Sequence, residues 1–480
     1  MSENTQPAWW TAIRSPGPWP LTDGYAELIT RKSTGSAPVG FDPGDRLAGH
    51  LFAHQKDLVR WSLRRGRSAI FADTGLGKGL MLLEWARQVS EHGRVLIIAP
   101  LGVGPQLAEE AARFGVAARF SRADNGERIV VTNYEMVGKF DPSEFVGVVL
   151  DESSILKSHA GSRRRELTEA FSCTPYRLAC TATPAPNDFT ELGNHSEFLG
   201  LKTQAEMLAE YFVHDGGSTQ DWRLKGHARA AFWLWVSTWG AIVKRPSDLG
   251  HDDTAFMLPP LNIAETIVHA DHDVASTGML FAASAMTLQD QREVRRRTLA
   301  DRIAAAAKIC KSAAGQTVVW CELNDEQDRL AAALGDACVS ISGSTDDDDK
   351  MERHHRWLAG EIKTLVTKPA IFGFGLNWQH CHEMVFVGAS HSYERTYQAI
   401  RRCWRFGQKS PVTVHMIRTD ADDAIAQNYQ RKLASAEQMA AEMVATVAAS
   451  VRAEVAGLER EFNDYTPTQP IRIPSWLTRS

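Results

Sequence analysis

Paired cysteines are missing from this sequence of 480 residues. The seven present (Cys173, Cys180, Cys310, Cys321, Cys338, Cys381 and Cys403) form no Cys-x-x-Cys pair. Neither a zinc site nor a disulfide frame is implied, and a reducing compartment fits. His380-Cys381-His382 comes nearest to a ligand cluster, but neighbours on an extended chain point apart, and no metal is assigned there. No apolar run approaches the ~18 residues that would span a membrane. Met1 to Gln6 has no basic segment leading into an apolar core, so a cytoplasmic protein is expected. Positive charge is not in excess either. The formal net charge of −5 excludes a binder that holds nucleic acid through its whole surface and leaves only a local groove for such a contact. No nuclease or methyltransferase motif is visible.

What is present is a globular composition, 44% hydrophobic and 23% charged, on a chain long enough for two to four domains. The central stretch is Ala69 to Gly79. Ala69 to Ala72 reads as a buried strand and Leu80 to Val89 as a helix, with a glycine-rich turn between them. That layout cradles polyphosphate: glycines turn backbone N–H groups inward, and the helix start adds unpaired N–H groups. Thr74, Gly75, Gly77, Lys78 and Gly79 are therefore candidate nucleotide-binding residues, with Lys78 reaching the outer phosphates. The last position of the eight-residue pattern should carry the Ser or Thr hydroxyl that holds Mg²⁺, and here it is Gly79. Ahead of the loop, on a helix over 51–63, Gln55 can make a two-pronged bond to an adenine edge.

Short apolar runs at 94–100, 129–132, 146–150 and 177–181 complete a parallel, doubly wound α/β pattern, in which ligands sit at the carboxyl ends of strands. Those ends carry Pro100, Thr132-Asn133, Asp151-Glu152 and Thr181-Ala182-Thr183-Pro184. Asp151 suits Mg²⁺, and Glu152 suits activation of an attacking water. Residues 187–260 read as a helical insertion whose aromatics form a core of their own, ending in a linker. Local positive charge there, at Lys244-Arg245 and Arg223 to His227, is placed to face a phosphate backbone. Strands at 317–321, 338–341, 364–367, 383–387 and 412–416 make a second α/β unit. Asp346 to Asp349 reads as a solvated acidic turn. Gln398 to Gln408 reads as helix-like, with Arg402 and Arg405 on one face, able to meet a γ-phosphate as arginine fingers. A helical region from 421 follows, expected to pack on the second unit or on a partner.

Eight segments in this order (His54-Gln55; DTGLGKG from Asp73; Ala99-Pro100; Thr132-Asn133-Tyr134-Glu135; DESS from Asp151; TATP from Thr181; GFGLN from Gly373; QAIRRCWRFGQ from Gln398) resemble a superfamily 2 helicase. They are most similar to the Swi/Snf-related double-stranded DNA translocases, in the short versions of phages and mobile elements. The resemblance implies two RecA-like lobes with ATP and Mg²⁺ between them. It divides the chain into an irregular arm (1–45), lobe 1 (46–186), the helical insertion (187–260), lobe 2 (261–420) and a C-terminal helical extension (421–480). In the implied scheme Gln55, Gly375 and Gln398 join the loop around the nucleotide, and Lys78, Glu152, Arg402 and Arg405 are catalytic. Asp151 holds the metal. Pro100, Thr132, Asn133 and Thr367 lie at the DNA backbone, and Thr181 and Thr183 couple the two sites.

Gly79 departs from the family, as do Ser154 in place of a histidine, TATP in place of Thr-Gly-Thr-Pro, and Arg401 in place of an aspartate. The expected activity is ATP hydrolysis coupled to movement on duplex DNA, serving phage replication or a restriction or defence system. Two alternatives stay open: a nucleotide-gated DNA clamp with weak hydrolysis, and a strand-separating or RNA helicase.

Overall fold

The computed structural model describes residues 39–157, 161–185, 188–214, 222–269, 296–372, 377–388, 393–419, 422, 437, 441–442 and 444–455. Most of the expected arm, Gly375, and most of the region after 421 lie outside the described residues. Two parallel sheets organise the rest.

In the first sheet the strands are β1 (Arg67–Ala72), β2 (Arg94–Ala99), β3 (Ala118–Phe120), β4 (Ile129–Asn133), β5 (Phe145–Asp151), β6 (Tyr176–Cys180) and, beyond a small antiparallel pair β7 (Phe212–His214) and β8 (Trp222–Leu224), β9 (Gly240–Val243). Their spatial order is β3-β4-β2-β5-β6-β1-β9. β1, β2, β4, β5 and β6 are continuous apolar runs because helices cover both faces, as a parallel sheet requires. β1 lies between β6 and β9, so its exit is flanked on both sides.

The second sheet has the order β10-β15-β14-β11-β13-β12, all neighbours parallel. Its strands are β10 (Leu261–Val268), β11 (Thr317–Trp320), β12 (Cys338–Ser340), β13 (Thr364–Thr367), β14 (Glu383–Phe386) and β15 (Val412–Thr419). Alternation along the strands splits its core in two. Val318, Trp320, Leu365 and Met384 pack with Trp357 and Trp378 on one face. Val319, Val366 and Val385 pack with Leu299, Ile303 and Leu330 on the other.

Three expectations change here. The aromatics of 187–260 do not form a separate core: Phe198, Tyr211, Phe212, Phe232, Trp233 and Trp239 belong to the first lobe's core, and β9 is a strand of that lobe's sheet. The reason is that the helix Arg229–Ser237 buries Phe232, Trp233 and Val236, and just beyond it Trp239 meets Phe71 of β1 with ring centroids 6.1 Å apart. The acidic run is not a turn. Asp346 caps the helix Asp347–Leu358, accepting the Asp348 N–H at 3.0 Å, and its carboxylate complements the helix's positive end. The described part of the C-terminal region packs on the first lobe, not the second. Val447 and Val451 enter its core, and Glu454 accepts from Trp61 Nε1 at 3.3 Å and pairs with Arg65.

Candidate active site

The loop leaving β1 runs into helix α2 (Lys78–Val89), with Gly77 as its N-cap. Gly75 and Gly77 take φ values of 97° and 80°, a region that raises the energy of other residues by about 1–2 kcal/mol. Space excludes side chains too. A Cβ on Gly77 would lie 2.3 Å from Gln55 Nε2, and one on Gly75 would lie 3.1 Å from the backbone N of Phe406. Lys78 folds back under the loop, its Nζ donating to the carbonyls of Ala72 (2.8 Å) and Asp73 (3.3 Å). Burial lowers its pKa, opposed chiefly by Glu152, then by Asp73 and Asp151. The Thr74 N–H donates to Asp73 Oδ1 at 2.6 Å. Gln55, on helix α1 (Ala53–Arg65), is buried. Its Nε2 donates to the Leu76 carbonyl at 2.9 Å, and its Oε1 accepts the Phe52 N–H at 3.0 Å. One amide N–H and one lone pair remain for a purine.

β5 delivers Asp151 and Glu152 next to this loop. Burial, and then the neighbouring Glu152, push the Asp151 carboxyl up to about 7. Glu152 has φ 53°, the one non-glycine positive φ among the described residues. Its Oε1 accepts from Thr181 Oγ1 and from Ser154 Oγ, both at 2.8 Å. Thr181 Oγ1 in turn accepts the Thr183 N–H at 3.1 Å. A short relay thus links the exit of β6 to the Glu152 carboxylate.

From the second lobe comes the segment after the helix Tyr393–Ile400. Sequence spacing puts Arg402 and Arg405 on a helix, and the structure corrects this. The helix ends at Ile400, and 401–407 is a series of turns. Backbone bonds mix three-residue closures (Arg402 N to Ala399 O, 3.2 Å; Cys403 N to Ile400 O, 3.2 Å) with a last four-residue one (Trp404 N to Ile400 O, 3.0 Å), and the Arg402 carbonyl accepts the Trp378 N–H at 3.0 Å. The turns still aim both guanidinium groups at the first lobe. Arg402, buried, is lowered to about 9 by burial and then by Arg405, with Glu152 and Asp151 opposing. Arg405 is lowered to about 10 by burial and then by Arg401, with Glu110 opposing. Gln398 is buried too, and both its amide atoms lack a hydrogen-bond partner among the described residues. Tyr397 Oη donates to Asp73 Oδ1 at 2.9 Å. Arg401 donates to the Thr74 carbonyl and lies 3.5 Å from Asp73.

A cavity of about 240 Å³ opens beside the loop, lined by Thr74, Gly75, Phe256, Met257, Arg401 and Phe406 among others. Phe256 meets Phe406 at 4.9 Å and Phe52 at 5.0 Å between ring centroids. This apolar corner, which a flat base would suit, was not read from the sequence: its members lie far apart in the chain, and isolated phenylalanines carry no pattern.

The residues expected at the DNA backbone are brought together only in part. Pro100 is half-buried beside exposed Leu101. Thr132, Asn133 and Thr367 are 0% exposed, so in this arrangement they touch no phosphate. Their strands end beneath the surface. Thr367 Oγ1 donates to the Ile341 carbonyl at 2.9 Å, while the Thr132 hydroxyl and both amide atoms of Asn133 are buried without partners among the described residues.

The donor set fits a nucleotide with its divalent cation. Left-handed glycines and Lys78 stand at the end of β1, Asp151 at the end of β5 with β6 between them, and Gln398 brings an amide without a partner among the described residues from across the cleft. Among the described residues no group of three or more His, Cys, Asp or Glu side chains is placed to hold a metal ion. A magnesium ion bound partly by substrate phosphates needs only one or two carboxylates.

Residues 299–407 match the family model described as the helicase conserved C-terminal domain. The chain is thus helicase-like, of the superfamily 2 kind, and its second lobe carries the domain of an ATP-dependent nucleic-acid motor. No curated protein matches the chain at a significant level. No helix among the described residues is long and apolar enough to cross a membrane.

Proposed function

We propose that this protein is a double-stranded DNA translocase of the Swi/Snf-related type, hydrolysing ATP in the cleft between its lobes. One observation carries the reading: the segment that bears Arg402 and Arg405 meets the glycine loop, Tyr397 Oη donating to Asp73 Oδ1 at 2.9 Å and Arg401 to the Thr74 carbonyl, with both guanidinium groups within electrostatic reach of carboxylates of the other lobe. In this reading Thr74, Gly75, Gly77 and Gly79 shape the phosphate cradle, and Lys78 leaves its carbonyls for the outer phosphates. Gln55, Gln398 and Gly375 complete the nucleotide site. Asp151 would hold the divalent cation, which would supply charge neutralisation to the phosphates. Glu152 orients water and takes its proton. Arg402 and Arg405 oppose negative charge building on the transferred phosphate. Thr181 and Thr183 carry the state of Glu152 toward the Pro100 loop. Thr132 and Asn133, whose strand pairs with β2 up to Ala99, support that loop from beneath, and Thr367 does the same in the second lobe.

A second reading, a nucleotide-gated DNA clamp with little hydrolysis, is favoured by Gly79, which offers no hydroxyl to the metal. The test is phosphate release with linear duplex, single-stranded DNA or RNA added. Duplex stimulation that vanishes in Lys78→Ala supports the motor. Robust turnover without stimulation by any nucleic acid sinks it, and nucleotide-dependent DNA retention without turnover favours the clamp. Service to phage replication or to a restriction or defence system follows the family likeness, and neighbouring methyltransferase or nuclease genes would identify it.

A further inference from the structure

We propose that Glu110 takes over the metal-facing role that the loop lost at Gly79, so that the cation of a bound nucleotide lies between the carboxylates of Glu110 and Asp151. This rests on the nucleotide reading above and adds a residue that the loop pattern does not contain.

The geometry is specific. Glu110 belongs to helix α3 (Gly104–Arg113), which begins just beyond the end of β2. A Cβ built on Gly79 would stand 2.8 Å from Glu110 Oε2 and 3.6 Å from Leu107 Cδ1. Leu107 and Glu110 are three apart on that helix and share a face. The carboxylate therefore occupies the volume where a Ser or Thr side chain would begin. Asp151 ends β5, which pairs in parallel with β2 with Ile98 opposite Leu150, so it closes the strand beside the one that leads into this helix.

Glu110 is otherwise poorly served. It is half-buried, burial raises its pKa, and its opposing charges are Arg405 and Arg113. No hydrogen bond to its carboxylate is found among the described residues. A half-buried carboxylate without hydrogen-bond donors is unfavourable, and the through-space pull of Arg405 and Arg113 leaves room for a further cation to complete it. A cation bridging two carboxylates and a polyphosphate would do so, with water filling the remaining positions.

A carboxylate differs from a hydroxyl in sign. It attracts the metal more strongly, but it repels the phosphates when no metal is present. Glu110→Gln should therefore act in opposite directions in the two conditions. Affinity for a fluorescent ATP analogue should fall about tenfold or more in Mg²⁺, the order seen when a metal site loses a supporting group, and should stay level or rise in EDTA. A merely structural Glu110 would lower both. Mn²⁺ binding to the protein–nucleotide complex, followed by electron paramagnetic resonance, should weaken in parallel. In the paired variant Gly79→Thr with Glu110→Ala, the hydroxyl has room and the Mg²⁺ dependence should return. Gly79→Thr alone meets Glu110 and should not improve binding.

Mg²⁺-dependent binding in the wild type that Glu110→Gln leaves unchanged would overturn this proposal alone. Absence of nucleotide binding by the wild type in both conditions would overturn it together with the nucleotide reading.

Discussion

Replacing Thr181 by valine removes one hydroxyl and almost no volume from a fully buried position. Two bonds are lost, from the hydroxyl to Glu152 Oε1 at 2.8 Å and from the Thr183 N–H to the hydroxyl at 3.1 Å, and the first is the one that holds the carboxylate. Hydrogen bonds to a charged partner contribute about 1.5–3 kcal/mol. At about 1.4 kcal/mol per decade, full expression of that bond in the rate-limiting state gives roughly ten- to hundredfold in turnover. Ser154 still holds the same oxygen, so the lower end of that range is expected. The carboxylate would keep its charge but lose one of the two donors that fix its direction on a residue already at φ 53°. Steady-state phosphate release at saturating ATP and duplex DNA is the assay, with nucleotide affinity and melting temperature as controls. Turnover should fall about tenfold while affinity changes little, because Lys78 and the glycine loop are untouched. Ser154→Ala should behave similarly, and the double variant should be non-additive, since both hydroxyls serve one atom. A Thr181→Val protein that melts like the wild type and turns over within about twofold of it would refute the relay.

Arg402→Ala should lower phosphate release by about 10³ with a much smaller change in nucleotide affinity; wild-type rates in single-turnover assays would remove Arg402 from the chemistry. His354 makes a pH prediction for the second lobe. Burial, and then His355 and His380, lower its pKa to about 4, and its Nε2 accepts from Trp378 Nε1 at 2.9 Å. A depressed folded value means that the unfolded chain binds the extra proton. The stability is therefore full above the unfolded value near 6.5 and is lost as pH falls toward 4, by at most roughly 3 kcal/mol. Chemical denaturation at pH 7 and pH 4.5 should show this loss shrinking in His354→Gln, and equal losses in both proteins would count against it.

The fold was legible where local pattern and tertiary environment agree. β1, β2, β4, β5 and β6 are buried on both faces, so each appears as a bare apolar run, and the motif residues at their ends followed from that placement. β9 and β10 were not legible. Gly240 to Val243 is only four residues long after an aromatic helix, and β10 alternates as a half-exposed edge strand beside prolines. The arginine segment was given the wrong backbone. Spacing of three suits a helix and a chain of turns equally, and the deciding bond, Trp378 N–H to the Arg402 carbonyl, is tertiary. Glu110 was invisible for another reason. A glutamate in a helix is ordinarily solvated, and only the missing side chain at Gly79 hints that something else fills the gap. Thr132, Asn133 and Thr367 show the converse limit, since position in a motif says nothing about depth below the surface.

The contacts that close the cleft also occupy the loop. Tyr397 and Arg401 of the second lobe hold Asp73 and Thr74, Phe406 lies over Gly75, and Lys78 is bonded to the loop's own carbonyls. A polyphosphate entering the cradle must therefore exchange with protein groups, some of which belong to the opposite lobe. Binding and lobe contact are then linked, and the linkage is reciprocal, with couplings of this kind typically about 1–3 kcal/mol. Arg401 matters most, because it brings a positive charge to Asp73 across the cleft, at 3.5 Å. A cleft arranged in this way makes its ligand a competitor of its own closed contacts, so that each cycle of binding and release must remake the interface between the lobes.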